Sequence, residues 1–399
     1  MPAPFATLPS SATIKPSPFR IAIPDEQISD FKTLVKLSKI APKTYENLQS
    51  DGRFGVTHEW MSTLKEEWQN KFDWRAVEER ANSFPQFTTE IEGLTIHFAA
   101  LFSEKPDAIP VVLLHGWPGS YFEFLPILQL FKDEHTPDTL PYHLIVPSLP
   151  GYAFSSGPPL DKNFTNADTA RVIDQLMRSL GFESGYVSQG GDIGSRVARL
   201  LGLNYDSCKA VHLNFCAIFS RPPGIPDDGQ TELERRGLER QKTFLSRGKA
   251  YAEEHGTRPA TIGHVLSSNP LALLAWIGEK LLEWPDAPFS NQTILELVTL
   301  YWFTESFARA IYPYRESNPV PPNPDVALRT THYLQKPFGY SWFLHELFPI
   351  PKSWIATTGN LVHFRQHTEG GHFAALERPK ELKEDLTEFI SQVWSGSSS

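Results

Sequence analysis

Three rhythms of apolar and polar residues succeed one another along the chain. Towards the N-terminus the period is mostly helical. In PDEQISDFKTLVKLSKI, Ile28, Phe31, Leu34 and Val35 share one face and acids fill the first turn, as a helix N-terminus favours. In THEWMSTLKEEWQNKF, Trp60, Leu64, Trp68 and Phe72 recur four apart, a stripe that predicts a helix packed against another domain. PFRIAI, ahead of both, has the composition of a strand.

From about residue 86 short apolar runs alternate with helical ones. FTTEIEGLTIHFAALF predicts a strand pair turning at Glu92-Gly93, and IPVVLL and YHLIVP read as buried strands. ADTARVIDQLMRSLGF is an amphipathic helix with Val172, Leu176 and Leu180 on one face, stopping at Gly181. YVSQGGDIGSRVARLLGL reads as strand, glycine turn and helix, and CKAVHLNFC as a further strand. Such alternation predicts a mostly parallel sheet covered on both faces.

Beyond about residue 218 the strand signals stop. TELERRGLERQKTFLSRGKAYAEEH, ATIGHVLSSNPLALLAWIGEKLLEW and NQTILELVTLYWFTESFARAIYPYRE read as helices, closed by the proline-rich NPVPPNPD. KPFGYSW, WIATTGN and LVHFRQH then return to the α/β unit, and ERPKELKEDLTEFISQVW ends it as a helix with Leu382, Leu386, Phe389 and Val393 on its apolar face. The organisation expected is an N-terminal segment (1–90), a first part of an α/β core (91–218), an inserted helical cap (219–320) and the rest of the core (321–399). A cap so placed roofs a pocket at the strand ends. The SGSSS tail is expected to be disordered.

Composition mostly excludes. A net charge of −9 over 399 residues argues against a nucleic-acid partner, which needs clustered Lys and Arg. The two cysteines, Cys208 and Cys216, form no C-x-x-C pair and are expected to be packing residues in a reducing compartment. The N-terminus lacks the basic start and apolar run of a signal peptide, and stretches such as LALLAWI fall short of the ~18 residues of a membrane span. A soluble, cytoplasmic protein without metal or cofactor is expected.

The chemistry gathers at QGGDIGS. A strand–turn–helix elbow exposes its central residue, which in the G-x-S-x-G pattern is a nucleophilic serine. Here Gly190 and Gly194 supply small positions and Asp192 takes the central place. A carboxylate is already ionised at neutral pH and needs no base to attack. On an acyl carbon it would give an anhydride. On an sp³ carbon it gives an alkyl ester that water can hydrolyse, which points to epoxides or alkyl halides.

Hydrolysis of that ester needs a base. GGHFAALERP places His372 in a glycine turn between the last strand and the last helix, in the chain order nucleophile, acid, histidine. Asp325, Glu346 and Glu369 are candidates to orient it; Glu346, after the strand-like KPFGYSW, is favoured. The backbone of HGWPGS, with that of Ile193, can form an oxyanion hole. An epoxide also needs a proton donor, and the cap offers Tyr251, Tyr301, Tyr312 and Tyr314. A halide needs N–H donors instead, often indoles, and Ile193 beside the nucleophile speaks against a dehalogenase.

Nearly end to end the chain resembles the epoxide hydrolases of the microsomal type, in their soluble fungal form. The likeness rests on KFDWRAVEERANSFPQFTTEIEGLTIHF, LLHGWPGSYFEF, VPSLPGYAFS, QGGDIGS, TRPATIGHVLSSNPLALLAWI and GGHFAALERP. It implies an α/β-hydrolase fold with a helical cap, Asp192 as nucleophile, His372 as base and Glu346 as the acid of the charge relay. It further implies Tyr251 and Tyr314 as the epoxide's proton donors, with Tyr312 the near rival of Tyr314, and Trp117 and Ile193 as the oxyanion hole. Set beside that family, this chain is expected to be a soluble member without the N-terminal membrane anchor. A detoxifying enzyme acting on a small apolar epoxide is expected, with an N-terminal segment that wraps the core and is compatible with a homodimer.

Overall fold

The computed structural model describes residues 3–226, 229–316 and 332–394. NPVPPNPD with Asp325, and the SGSSS tail, lie outside the described residues. The strands are β1 (Ser17–Phe19), β2 (Gln86–Ile91), β3 (Leu94–Leu101), β4 (Ile109–Leu114), β5 (Tyr142–Pro147), β6 (Tyr186–Gly190), β7 (Cys208–Leu213), β8 (Leu334–His345) and β9 (Gly359–Gly371). Among the described residues they form one sheet, in the order β1-β2-β3-β5-β4-β6-β7-β8-β9. The strands from β1 to β5 in that order pair antiparallel, and all pairs from β5 to β9 are parallel. β5 and β6 are buried along their whole length, as expected of parallel strands covered on both faces.

Local chemistry explains most of the elements. The β2–β3 hairpin turns at Glu92 and Gly93, whose φ values of 54° and 78° suit a two-residue turn that matches the twist of its strands. Thr165 opens the helix Asn166–Met177 through a capping box with Asp168, and Gly181 ends the following turn at φ 96°. The helix His58–Asn70 buries Leu64 and Trp68 against the inserted helices, where Trp68 Nε1 donates to Thr299 Oγ1 at 2.8 Å. Arg80 forks onto the Glu296 carboxylate at 2.9 and 2.5 Å across the same junction.

Several expected elements are shorter than their sequence pattern. PFRIAI is a strand only at its start. Ile21 and Ile23 donate their N–H groups to the side chains of Asn82 (2.8 Å) and Glu78 (2.7 Å), so no ladder forms there. Each of the three helical runs between β7 and β8 is broken. The first divides into Glu232–Thr243 and Ala250–Thr257 around a loosened turn at Phe244–Gly248. The second divides into Pro259–Ser267 and Pro270–Glu283, which meet at 117°. Asn269 caps the new helix by accepting from Leu271 and Ala272, with Pro270 in its first position. The third stops at Phe303, where Glu305 takes φ 50°, and resumes as Phe307–Ala310 and the 3-10 turn Tyr312–Glu316. Among the described residues no single helix is long and apolar enough to cross a membrane, and one bent pair passes only on summed length and composition.

Register positions the site. Leu114 aligns with Gly190, Gly190 with Leu213, and His345 with Gly371. The turns that leave the carboxyl ends of β4, β6, β8 and β9 therefore meet on one edge of the sheet, where ligands bind in folds of this kind.

Candidate active site

The turn after β6 is tight enough to exclude side chains around its centre. A Cβ on Gly190 would lie 2.3 Å from the Gly194 carbonyl oxygen, and one on Gly194 would lie 2.1 Å from that of Leu114. Between them Asp192 starts the helix Asp192–Asn204 at φ 45°. That left-handed conformation costs a non-glycine residue of order 1–3 kcal/mol and is kept where the surroundings enforce it. Its carboxylate points at the turn after β4. The Trp117 N–H donates to Oδ1 at 2.7 Å, and the Ile193 N–H bonds the carboxylate as well.

Two further turns bring the base and its partner. His372 follows β9 directly, its N–H donating to the Trp284 carbonyl at 3.2 Å. Glu377 steadies this loop by accepting from Gly371 and Phe373, each at 3.0 Å. Nε2 of His372 lies 3.4 Å from Oδ2 of Asp192, and Nδ1 lies 2.6 Å from Oε1 of Glu346. Glu346 follows β8 and is 1% exposed. Arg240, from the inserted helices, donates to the carbonyl oxygens of Glu346 (2.9 Å) and Trp284 (3.2 Å), tying the insertion to this edge.

The three groups set one another's charge. Burial works against an imidazolium at His372, but Glu346 and Asp192 together push its pKa up to about 10. Burial likewise works against charge on Asp192, yet His372 and the two N–H donors hold it below the ordinary carboxylate value. At neutral pH the pair is thus carboxylate and imidazolium.

An aromatic wall faces them. The Tyr251 ring stacks on Trp117 at 5.1 Å between centroids and meets Tyr314 edge-on at 5.7 Å, their side chains hydrogen-bonded. Trp284 covers His372 at 5.0 Å and Tyr251 at 5.1 Å. Burial, then the Asp192 charge, raises the Tyr251 pKa; burial also lifts Tyr314 well above its ordinary value, so both hydroxyls keep their protons. Tyr312 turns elsewhere: its hydroxyl lies 2.7 Å from Thr169 Oγ1 and its ring packs on Phe164. Tyr301 donates to the Gly119 carbonyl at 2.8 Å. Of the other acids, Glu369 pairs with Arg378 at 2.6 Å and Asp325 lies outside the described residues.

The sequence reading passed over Glu123, a carboxyl buried beneath the Trp117 turn. The legible signal was Ser120-x-x-Glu123, a capping box in which Glu123 accepts from the Ser120 N–H at 3.1 Å. It also passed over His255, which accepts from Trp276 Nε1 at 3.0 Å and packs on Trp117 and Tyr314. Among the described residues no group of three His, Cys, Asp or Glu side chains is placed to hold a metal ion.

Known proteins resemble this chain in sequence and in fold. A family model described as "Epoxide hydrolase N terminus" matches residues 16–124, and one described as "alpha/beta hydrolase fold" matches residues 109–224. The structure of Aspergillus niger epoxide hydrolase is 64% identical, covers 98% of this chain and 100% of its own, and superposes with a TM-score of 0.94. Epoxide hydrolase 1 of Oryctolagus cuniculus is 30% identical, covering 94% of this chain and 89% of its own. The juvenile hormone epoxide hydrolase of the silkworm Bombyx mori, 25% identical, covers 96% of each chain with a TM-score of 0.85.

Proposed function

The chain belongs to the epoxide hydrolases of the microsomal type, within the α/β-hydrolase superfamily, and on that premise we propose that it hydrolyses a small apolar epoxide to a vicinal diol through an ester on Asp192. The observation that carries the proposal is the carboxylate at the elbow, faced on one side by His372 and on another by two protonated phenols.

In the first step Oδ2 of Asp192 attacks an epoxide carbon, the C–O bond of the ring breaks, and Tyr251 or Tyr314 gives its proton to the departing oxygen. Without an acid the product would be an alkoxide, nearly as basic as hydroxide from water of pKa ~15.7. Oδ1 stays on the Trp117 N–H, with the Ile193 N–H also bonded to the carboxylate. The tyrosinate regains a proton from the His372 imidazolium.

Consumption of the nucleophile switches the base on. Esterification removes the Asp192 charge, one of the two that hold the proton on His372. The neutral imidazole, oriented by Glu346 at Nδ1, then takes a proton from water. The hydroxide adds to Cγ of Asp192 and the oxyanion forms on Oδ1 in the N–H pair. Breaking the Cγ–Oδ2 bond releases the diol, whose new oxygen was Oδ2; its alkoxide takes the proton back from His372, and the Asp192 acid left behind gives its own proton to His372, restoring the ion pair. The aromatic wall of Trp117, Tyr251, Trp284 and Tyr314 suits an apolar substituent on the epoxide.

Rapid mixing of enzyme with a styrene-type epoxide, quenched in acid and followed by intact mass, tests this reading. An adduct equal to enzyme plus epoxide, located on the Asp192 peptide, is expected. Diol formation from an enzyme in which Asp192→Asn has permanently removed the nucleophile would overturn it.

A further inference from the structure

The hydrolytic half of the reaction needs a water held against Cγ of Asp192, and the residues already assigned fix only one of its hydrogens. A small cavity of about 10 Å³ lies at the elbow, enough for about one water. It is lined by Gly116, Trp117, Gly191, Asp192, His372 and, from beneath the turn, Glu123. Neither Tyr251 nor Tyr314 lines it. The cavity is therefore distinct from the phenol side of the carboxylate, where the epoxide oxygen must sit.

Glu123 is buried, and its Oε1 is taken by the Ser120 N–H. Among the described residues no group donates to its Oε2. A capping role alone explains Oε1. It does not explain why a carboxyl, costly to bury, is kept in the otherwise apolar YFEFLPIL beside two charged catalytic groups.

We infer that Glu123 is the water-positioning residue of ester hydrolysis: a water in this cavity gives one hydrogen to Nε2 of His372 and the other to Oε2 of Glu123, leaving a lone pair aimed at Cγ of Asp192. The proton that moves goes to His372, the new bond is water oxygen to Cγ, and Glu123 exchanges no proton in the step. Burial, with the Asp192 charge set against that of His372, pushes Glu123 up to about 8. With Oε1 held by the Ser120 N–H, a neutral carboxyl would carry its proton on Oε2, so it is the ionised carboxylate that accepts from the water. This inference rests on the ester mechanism proposed above.

Glu123→Gln keeps the shape and presents an NH₂ donor to the water where an acceptor stood. Stopped-flow single turnovers, with intact mass to count the adduct, separate ester formation from ester decay. In Glu123→Gln, decay should slow about 10- to 100-fold, the span of a hydrogen bond to a charged group, while formation stays within about twofold. A turn weakened by the loss of a cap would instead disturb Trp117 and slow both steps. Glu123→Asp, which shortens the reach of the carboxyl, serves as the second variant and should slow decay in the same sense. Decay at the wild-type rate, or equal slowing of both steps, in whichever variant folds overturns the inference. Absence of any adduct in the wild type and both variants overturns the ester mechanism itself.

Discussion

A carboxylate held between an imidazolium and two N–H donors is both ionised and aimed, and Asp192 has this setting in full. The same geometry assigns work to its neighbours. Glu346 bonds the far nitrogen of His372 at 2.6 Å, so Glu346→Gln should lower the His372 pKa and leave the imidazole poorly oriented. Ester hydrolysis should slow by about 10²–10⁴-fold, the usual weight of a general base, and the adduct should accumulate in a quenched-flow mass measurement. The two candidate tyrosines separate as cleanly. Tyr314→Phe should slow ester formation about 10- to 1,000-fold, as loss of one donor at a developing oxyanion does. Tyr312→Phe should leave ester formation within about twofold and cost about 1 kcal/mol in chemical denaturation, through its hydrogen bond to Thr169.

Elements carry these residues to one another by turns that tolerate little substitution. Gly194 has a backbone carbonyl where a side chain would start, 2.1 Å from the ideal Cβ position. Gly194→Ala should therefore destabilise the protein by about 1–3 kcal/mol, read from a urea midpoint, and displace the Asp192 carboxylate. Element existence was legible in the sequence wherever a period was sustained, as in β4, β5 and the helix Asn166–Met177. Where two elements share a continuous apolar pattern the break was not legible. ATIGHVLSSNPLALLAWIGEKLLEW keeps its helical rhythm through the 117° corner, and only Asn269-Pro270 marks the new start. PFRIAI reads as a strand, yet its donors go to Asn82 and Glu78, partners far along the chain that no local pattern reveals. The site was legible because its residues stand in short turn motifs; Ser120-x-x-Glu123 reads only as a helix cap, and His255 gives no signal because its neighbours in sequence read as core.

Across the whole molecule, the charges buried at the site make stability depend on pH. His372 holds its proton up to about 10, above its ordinary 6.5. Its contribution is complete below about 6.5 and is lost as pH rises towards about 10. Asp192, held below its ordinary 3.8, contributes above that pH and loses its contribution in acid. Wild-type protein should thus lose thermal stability on going from neutral to about pH 10, and Glu346→Gln, with one of the two stabilising charges gone, should show a shallower loss by calorimetry. The N-terminal segment joins the inserted helices through Trp68–Thr299 and Arg80–Glu296, and Arg240 joins those helices to the catalytic edge, so the tyrosines and the nucleophile are held by one connected frame. What that frame is proposed to do can be decided by following oxygen. A single turnover, with enzyme in excess over epoxide, is run in ¹⁸O-water. The ester account predicts unlabelled oxygen in the first-turnover diol and ¹⁸O in the peptide that contains Asp192; prompt ¹⁸O in the diol, with an unlabelled peptide, would contradict it.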